Sequence, residues 1–193
     1  MSDFDQLLDR IRKCQICSDL PLGANPIIKG KESAKILIIG QAPGTFVHKS
    51  SIPWDDKSGQ RLRQWLNMTS DQFYDESTIA IMPMGLCYPG KMNKGGDKPP
   101  RKECAPQWHK LVLDQLINLE LTLLVGSYAQ NYYLGKNRHQ TMAENIADFQ
   151  TFMKEGFFPL PHPSWRVTIW SKENPWFEKE VIPALQHHLE KIL

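Results

Sequence analysis

Apolar residues gather in four short runs, Lys35–Ile39, Thr78–Met82, Leu121–Val125 and Phe157–Leu160. The first and third are almost entirely aliphatic, the pattern of strands covered on both faces in a parallel sheet. Between the runs the apolar positions recur at helical spacing. Asp3–Arg12 carries Phe4, Leu7, Leu8 and Ile11. Ser58–Met68 carries Leu62, Trp65 and Leu66, with Asp56 or Ser58 placed to cap it. Lys102–Asn118, Ser127–Leu134 and Pro175–Ile192 read as further helices. Pro183 is expected to kink or break the last one, because it lacks an N–H and crowds the preceding turn. Strands alternating with helices predict an α/β fold, a single three-layer αβα domain over residues 1–193 with a four-stranded parallel sheet.

Such folds bind ligands beyond the carboxyl ends of their strands. The segments found there are Gly40-Gln41-Ala42-Pro43-Gly44, Pro83-Met84-Gly85-Leu86-Cys87, Gly126-Ser127 and Pro161-His162-Pro163-Ser164-Trp165-Arg166. All are unusual in composition, and they mark the expected site.

The 193 residues are 41% hydrophobic and 23% charged, which is globular, with a net charge of only +2. The charge is uneven. From Lys91 to Lys102, five bases (Lys91, Lys94, Lys98, Arg101, Lys102) face one acid, Asp97, among glycines and prolines. That loop is suited to phosphates, although a solvated surface loop has the same composition. The N-terminus has no apolar signal region and no run is long enough to span a membrane, so a cytoplasmic protein is expected. Nothing in the pattern calls for an oligomer, and a monomer is the default expectation.

The chain has four cysteines, in the pattern Cys14-x2-Cys17, then Cys87, then Cys104. In a reducing compartment four thiols point to metal rather than to disulfides. Four thiolates suit either Zn²⁺ or an iron–sulfur cluster, and spacing alone does not separate the two.

The cysteine layout resembles that of the family four uracil-DNA glycosylases, the iron–sulfur branch of the uracil-DNA glycosylase superfamily. Gly40-Gln41-Ala42-Pro43-Gly44 resembles that family's Gly-Glu-Ala-Pro-Gly turn, with Gln41 as in the superfamily's family one. Pro53-Trp54 resembles the Pro-Phe whose ring stacks on the flipped base. Ser58-Gly59-Gln60 resembles the segment that follows, and His162-Pro163-Ser164 resembles the His-Pro-Ser loop. The resemblance implies a DNA glycosylase that excises uracil or a related damaged base. It further implies a [4Fe–4S] cluster on Cys14, Cys17, Cys87 and Cys104, with zinc as the alternative. His162, Gln41 and Asp55 become candidate catalytic residues, and Ala42, Trp54 and Pro83 candidate base contacts. Ser164, Trp165, Arg166, Lys91 and Lys94 become candidate DNA contacts. Asp55 and Asp56 would lie near the sugar, although both also suit the start of a helix. The chain departs from the family at Pro83, where family four has the Asn that reads the uracil edge. Thr45-Phe46-Val47-His48 also replaces an acidic stretch. A DNA-binding protein that kept the fold and lost the chemistry is the rival reading, and a zinc-bound protein with a nucleotide ligand is a third.

Overall fold

The computed structural model describes residues 2–93 and 95–193. Its four strands are β1 (Ile36–Ile39), β2 (Ile79–Ile81), β3 (Leu121–Val125) and β4 (Phe157–Leu160). All pair in parallel, in the order β2-β1-β3-β4. Ile36 stands opposite both Ile79 and Leu121, and Thr122 opposite Phe157.

Strand alternation divides the interior in two. Ile36, Ile38, Leu121, Leu123 and Val125 enter one core, while Leu37, Ile39 and Leu124 enter the other. This is why the aliphatic runs are unbroken: both faces of the sheet are dry. Helices α3 (Lys57–Leu66) and α10 (Ile182–Ile192) close the first core, together with Phe177. Helix α1 (Asp3–Arg12) and α5 (Lys110–Leu113) close the second. Phe158 is fully buried in the first core. Truncating a buried phenylalanine to alanine typically costs about 3–5 kcal/mol.

The helices follow local rules. Ser2 and Asp5 form a capping box at the start of α1. The Asp56 carboxylate accepts from the Gly59 N–H at 2.8 Å and starts α3. The break expected near Pro183 takes the form of a widened π turn over Phe177–Val181, and α10 begins with that proline in its first turn. The Ile182 N–H reaches back to the Phe177 carbonyl, so the ladder shifts by one residue just before the residue that cannot donate. The helix expected over Lys102–Asn118 is shorter, a π turn Ala105–His109 leading into α5.

Five helices lie outside the hydrophobic pattern: α2 (Thr45–Ser50), α4 (Ser70–Phe73), α7 (Met142–Ala147), α8 (Phe149–Lys154) and α9 (Val167–Glu173). Helix α6 (Ser127–Tyr133) follows β3 as expected. Helix α8 lies beside β4 and sends Phe149 into one core and Phe152 into the other. At the opposite edge Lys29 pairs antiparallel with Ile81 of β2. No described helix is long and apolar enough to cross a membrane.

Candidate active site

The carboxyl ends of β1, β2 and β4 open on one pocket. It is lined by the Gly40–Gly44 turn, Trp54, Asp56, Pro83 and His162, among others. The strand-end reading therefore locates it. His162 lies two residues past the end of β4 at Leu160, and Pro83 two residues past the end of β2 at Ile81.

Trp54 is the best-defined part. Its φ is +59°, a left-handed conformation that a bulky residue avoids. Such strain costs on the order of 1–3 kcal/mol and persists only where neighbours over-determine it. Here they do. The Trp54 carbonyl accepts from Arg63 Nη1 at 3.4 Å, and the Pro53 carbonyl accepts from the Tyr74 hydroxyl at 2.9 Å. A Cβ on Gly59 would lie 1.8 Å from the Trp54 carbonyl oxygen, so only glycine fits below it. The indole then faces His162 across the pocket, with ring centroids 5.8 Å apart and planes 37° from parallel.

His162 is held from behind. The Leu160 carbonyl accepts from both the Gly126 N–H (2.8 Å) and Gln130 Nε2 (2.9 Å). Gln130 is fully buried, and its Oε1 accepts from Asn145 Nδ2 at 3.2 Å. Arg61 Nη1 donates to the Ser164 carbonyl at 2.6 Å and fixes the other side of the loop. Burial pushes the His162 pKa below that of an ordinary histidine, against the opposing pull of the Asp56 carboxylate. The imidazole is therefore neutral near pH 7, with an N–H to donate.

The acids fall differently from the sequence reading. Asp55 is exposed and outside the pocket lining, whereas Asp56 lines it. Asp97 also reaches the pocket mouth: its Oδ2 would stand 3.7 Å from a Cβ on Gly44. Burial raises its pKa, with Lys91 opposing and Asp56 adding to the rise. The loop that carries Asp97 is tied to the turn, since Gln41 Nε2 donates to the Lys98 carbonyl at 3.3 Å.

Pro83 is buried in the pocket wall and has no N–H. Its carbonyl accepts from His109 Nε2 at 3.2 Å. Because a carbonyl only accepts, His109 carries its proton on Nε2, and Nδ1 accepts from the Tyr133 hydroxyl at 2.6 Å. His109 is 2% exposed, and burial depresses its pKa to about 4. In the sequence His109 reads simply as a residue on a helix, with no sign of this buried pairing.

Trp165 is 68% exposed, and the Arg166 guanidinium lies 5.2 Å from its ring centroid. Lys91 is exposed and pairs with Asp97 across a small hairpin. Lys94 lies outside the described residues.

The fold brings all four cysteines into one neighbourhood. Burial pushes the Cys87 thiol up to about 11, and the nearby Cys104, Cys14 and Cys17 sulfurs add to the rise. The Cys104 thiol is raised for the same reasons. Arg101 joins the two halves of the set, binding the Asp19 carboxylate with two N–H groups while facing the Cys17 sulfur. Among the described residues no group of three or more Cys, His, Asp or Glu side chains converges closely enough to hold one metal ion. Trp108, four residues after Cys104, shares a buried cluster with Cys14 and Cys104. Its indole N–H has no acceptor among the described residues.

The sequence pattern of the Uracil DNA glycosylase superfamily matches residues 27–186. The chain belongs to that superfamily. The type-4 uracil-DNA glycosylase of Saccharolobus solfataricus is 22% identical over 171 residues, covering 85% of this chain and 77% of that protein. The parallel four-stranded sheet is the fold the superfamily resemblance implied. The matched span contains the whole pocket lining and excludes Cys14 and Cys17, which precede it.

Proposed function

We infer that this uracil-DNA glycosylase superfamily protein excises a deaminated or otherwise damaged base from DNA by hydrolysing its N-glycosidic bond. The observation that carries this reading is the facing pair Trp54 and His162 across a strand-end pocket. Trp54 supplies a stacking face for a base taken out of the helix, worth roughly 1–3 kcal/mol. As the C1′–N bond breaks, its electron pair passes to the base and positive charge develops on the sugar. The neutral His162 N–H donates to a base oxygen and stabilises the first charge. The Asp56 carboxylate, in the lining, stabilises the second. Water then adds to C1′, and the proton it loses balances the one taken up by the departing base. Gln41 and the Ala42 backbone orient base and water, and the exposed Asp55 is left with at most a long-range charge. Ser164, Trp165, Arg166 and Lys91 are the surrounding DNA contacts.

Pro83 favours a base other than uracil, or the rival reading as a binding protein. Pro83 has no N–H to donate to the base edge and no amide side chain, and one lone pair of its carbonyl is taken by His109.

Cys14, Cys17, Cys87 and Cys104 would hold a [4Fe–4S] cluster. The all-sulfur donor set and the unpartnered Trp108 N–H both fit a sulfide-rich group. Zn²⁺ held by the same four sulfurs is the alternative. The cluster would cross-link the N-terminal segment to the 87–104 loop.

The deciding experiment is alkali cleavage of labelled oligonucleotides bearing one uracil, hypoxanthine, xanthine or 5-hydroxymethyluracil, with protein purified without air. Breaks at one lesion that vanish in His162→Ala identify a glycosylase and its base. No break at any lesion, from an intact preparation, supports the binding protein instead.

A further inference from the structure

The base pocket does not end at His162. Gln41 and His162 also line a second depression of about 670 Å³, together with Tyr128, Met142, Trp170 and Arg166. Tyr128 in turn lines a third, of about 820 Å³, with Tyr132, Pro100, Arg101 and Lys102. The three share residues end to end, so they form one groove across the strand ends. Among the described residues the second and third stretches have no aspartate or glutamate in their lining, and of their bases Arg166 and Lys102 face the groove while Arg101 is paired with Asp19. That is a polyanion's surface, set along an apolar floor.

Two exposed rings stand on that floor. Tyr128 and Tyr132 are 38% and 48% exposed. They sit four residues apart on α6, hence on one face and about 6 Å apart along its axis. Tyr132 is braced by ring contacts to His109 (6.1 Å, 67°) and Tyr133 (5.2 Å, 65°). Holding an exposed aromatic ring fixed lowers the entropy cost of stacking on it.

We propose that this groove holds unpaired DNA, with bases neighbouring the flipped one stacked on Tyr128 and Tyr132 and their phosphates met by Arg166 and Lys102. Each further base of a duplex would have to break its pair and its stack to lie on a protein ring, at a cost of a few kcal/mol apiece, so the groove favours single strands. Stacking tolerates any base, which makes the selection one of strandedness and not of sequence. The proposal rests on reading the first pocket as a base site, but its test does not require catalysis.

The test is fluorescence anisotropy at fixed salt. The probes are a labelled oligonucleotide with a central tetrahydrofuran abasic analogue, alone and annealed to its complement. For Tyr128→Ala/Tyr132→Ala, single-strand affinity should fall about tenfold or more, while duplex affinity changes less than twofold. Tyr128→Phe/Tyr132→Phe should bind like wild type. If Tyr132→Ala disturbs folding by circular dichroism, Tyr128→Ala alone should still weaken single-strand binding severalfold. Unchanged single-strand affinity, or equal loss on both probes, overturns the proposal. Single-strand binding that needs the tyrosines, from a protein that releases no base, leaves the groove standing and removes the glycosylase reading.

Discussion

Gly40 and Trp54 fit each other: a Cβ on the glycine would lie 2.6 Å from Cζ2 of the indole. No side chain tolerates that distance, so the ring rests directly on the backbone of the first turn. In Gly40→Ala the indole must tilt away from His162. Base release should fall at least tenfold and stability by about 1–3 kcal/mol, the usual cost of overpacking. Near-UV circular dichroism and the cleavage assay together check this.

Trp54→Phe keeps a stacking face and should retain most activity, whereas Trp54→Ala should raise KM roughly tenfold or more. An alanine variant with an unchanged KM would show that the ring only packs.

His162→Ala should lower kcat by orders of magnitude with the fold intact. Because burial holds its pKa below the ordinary histidine value, the neutral donor persists into mild acid. The acid limb of the rate should therefore lie below that of an unperturbed histidine. A wild-type profile that His162→Gln leaves unshifted would remove the imidazole from the limb.

His109 makes a stability prediction. Its folded pKa, about 4, lies below its ordinary 6.5. As pH falls through 6.5 the unfolded chain takes up a proton that the folded chain refuses, so stability declines toward pH 4. At pH 5 the loss from this group is about 2 kcal/mol. Urea titrations at pH 7 and pH 5 should show it in wild type, and His109→Gln should lose that part of the difference.

Purified without air, the protein should be brown, and Cys17→Ala should be pale and melt at a lower temperature. A colourless wild type containing one equivalent of zinc by elemental analysis would reverse the assignment.

The strands were legible because Leu121–Val125 and its neighbours are dry on both faces, and so short an unbroken aliphatic run suits a buried strand better than a helix. His162 and Trp54 were placed by their motifs and by following strand ends. The acids were not separable by sequence: Asp55 and Asp56 are adjacent and alike, and only the helix start at Lys57 turns one inward. Asp97 reaches the mouth through a hairpin pairing across several residues, which no local pattern encodes. Helix α2 is short and polar, and Val47 is its one buried residue, so it had no periodicity to read. Gln130 is polar yet fully buried; its position four residues after Gly126 hints at helix, but not that it would hold the strand before His162.

The β4 edge carries a proline with a consequence of its own. Gly156 and Leu160 turn their carbonyls toward β3, so alternation turns Pro159 outward, where an incoming strand would need a donor. Helix α8 lies along the same edge, and Lys29 already occupies the outer side of β2 at the other. Neither margin of the sheet can recruit a further strand, from another copy or from a misfolded chain. In the folded protein this sheet therefore offers little edge from which an aggregate could grow.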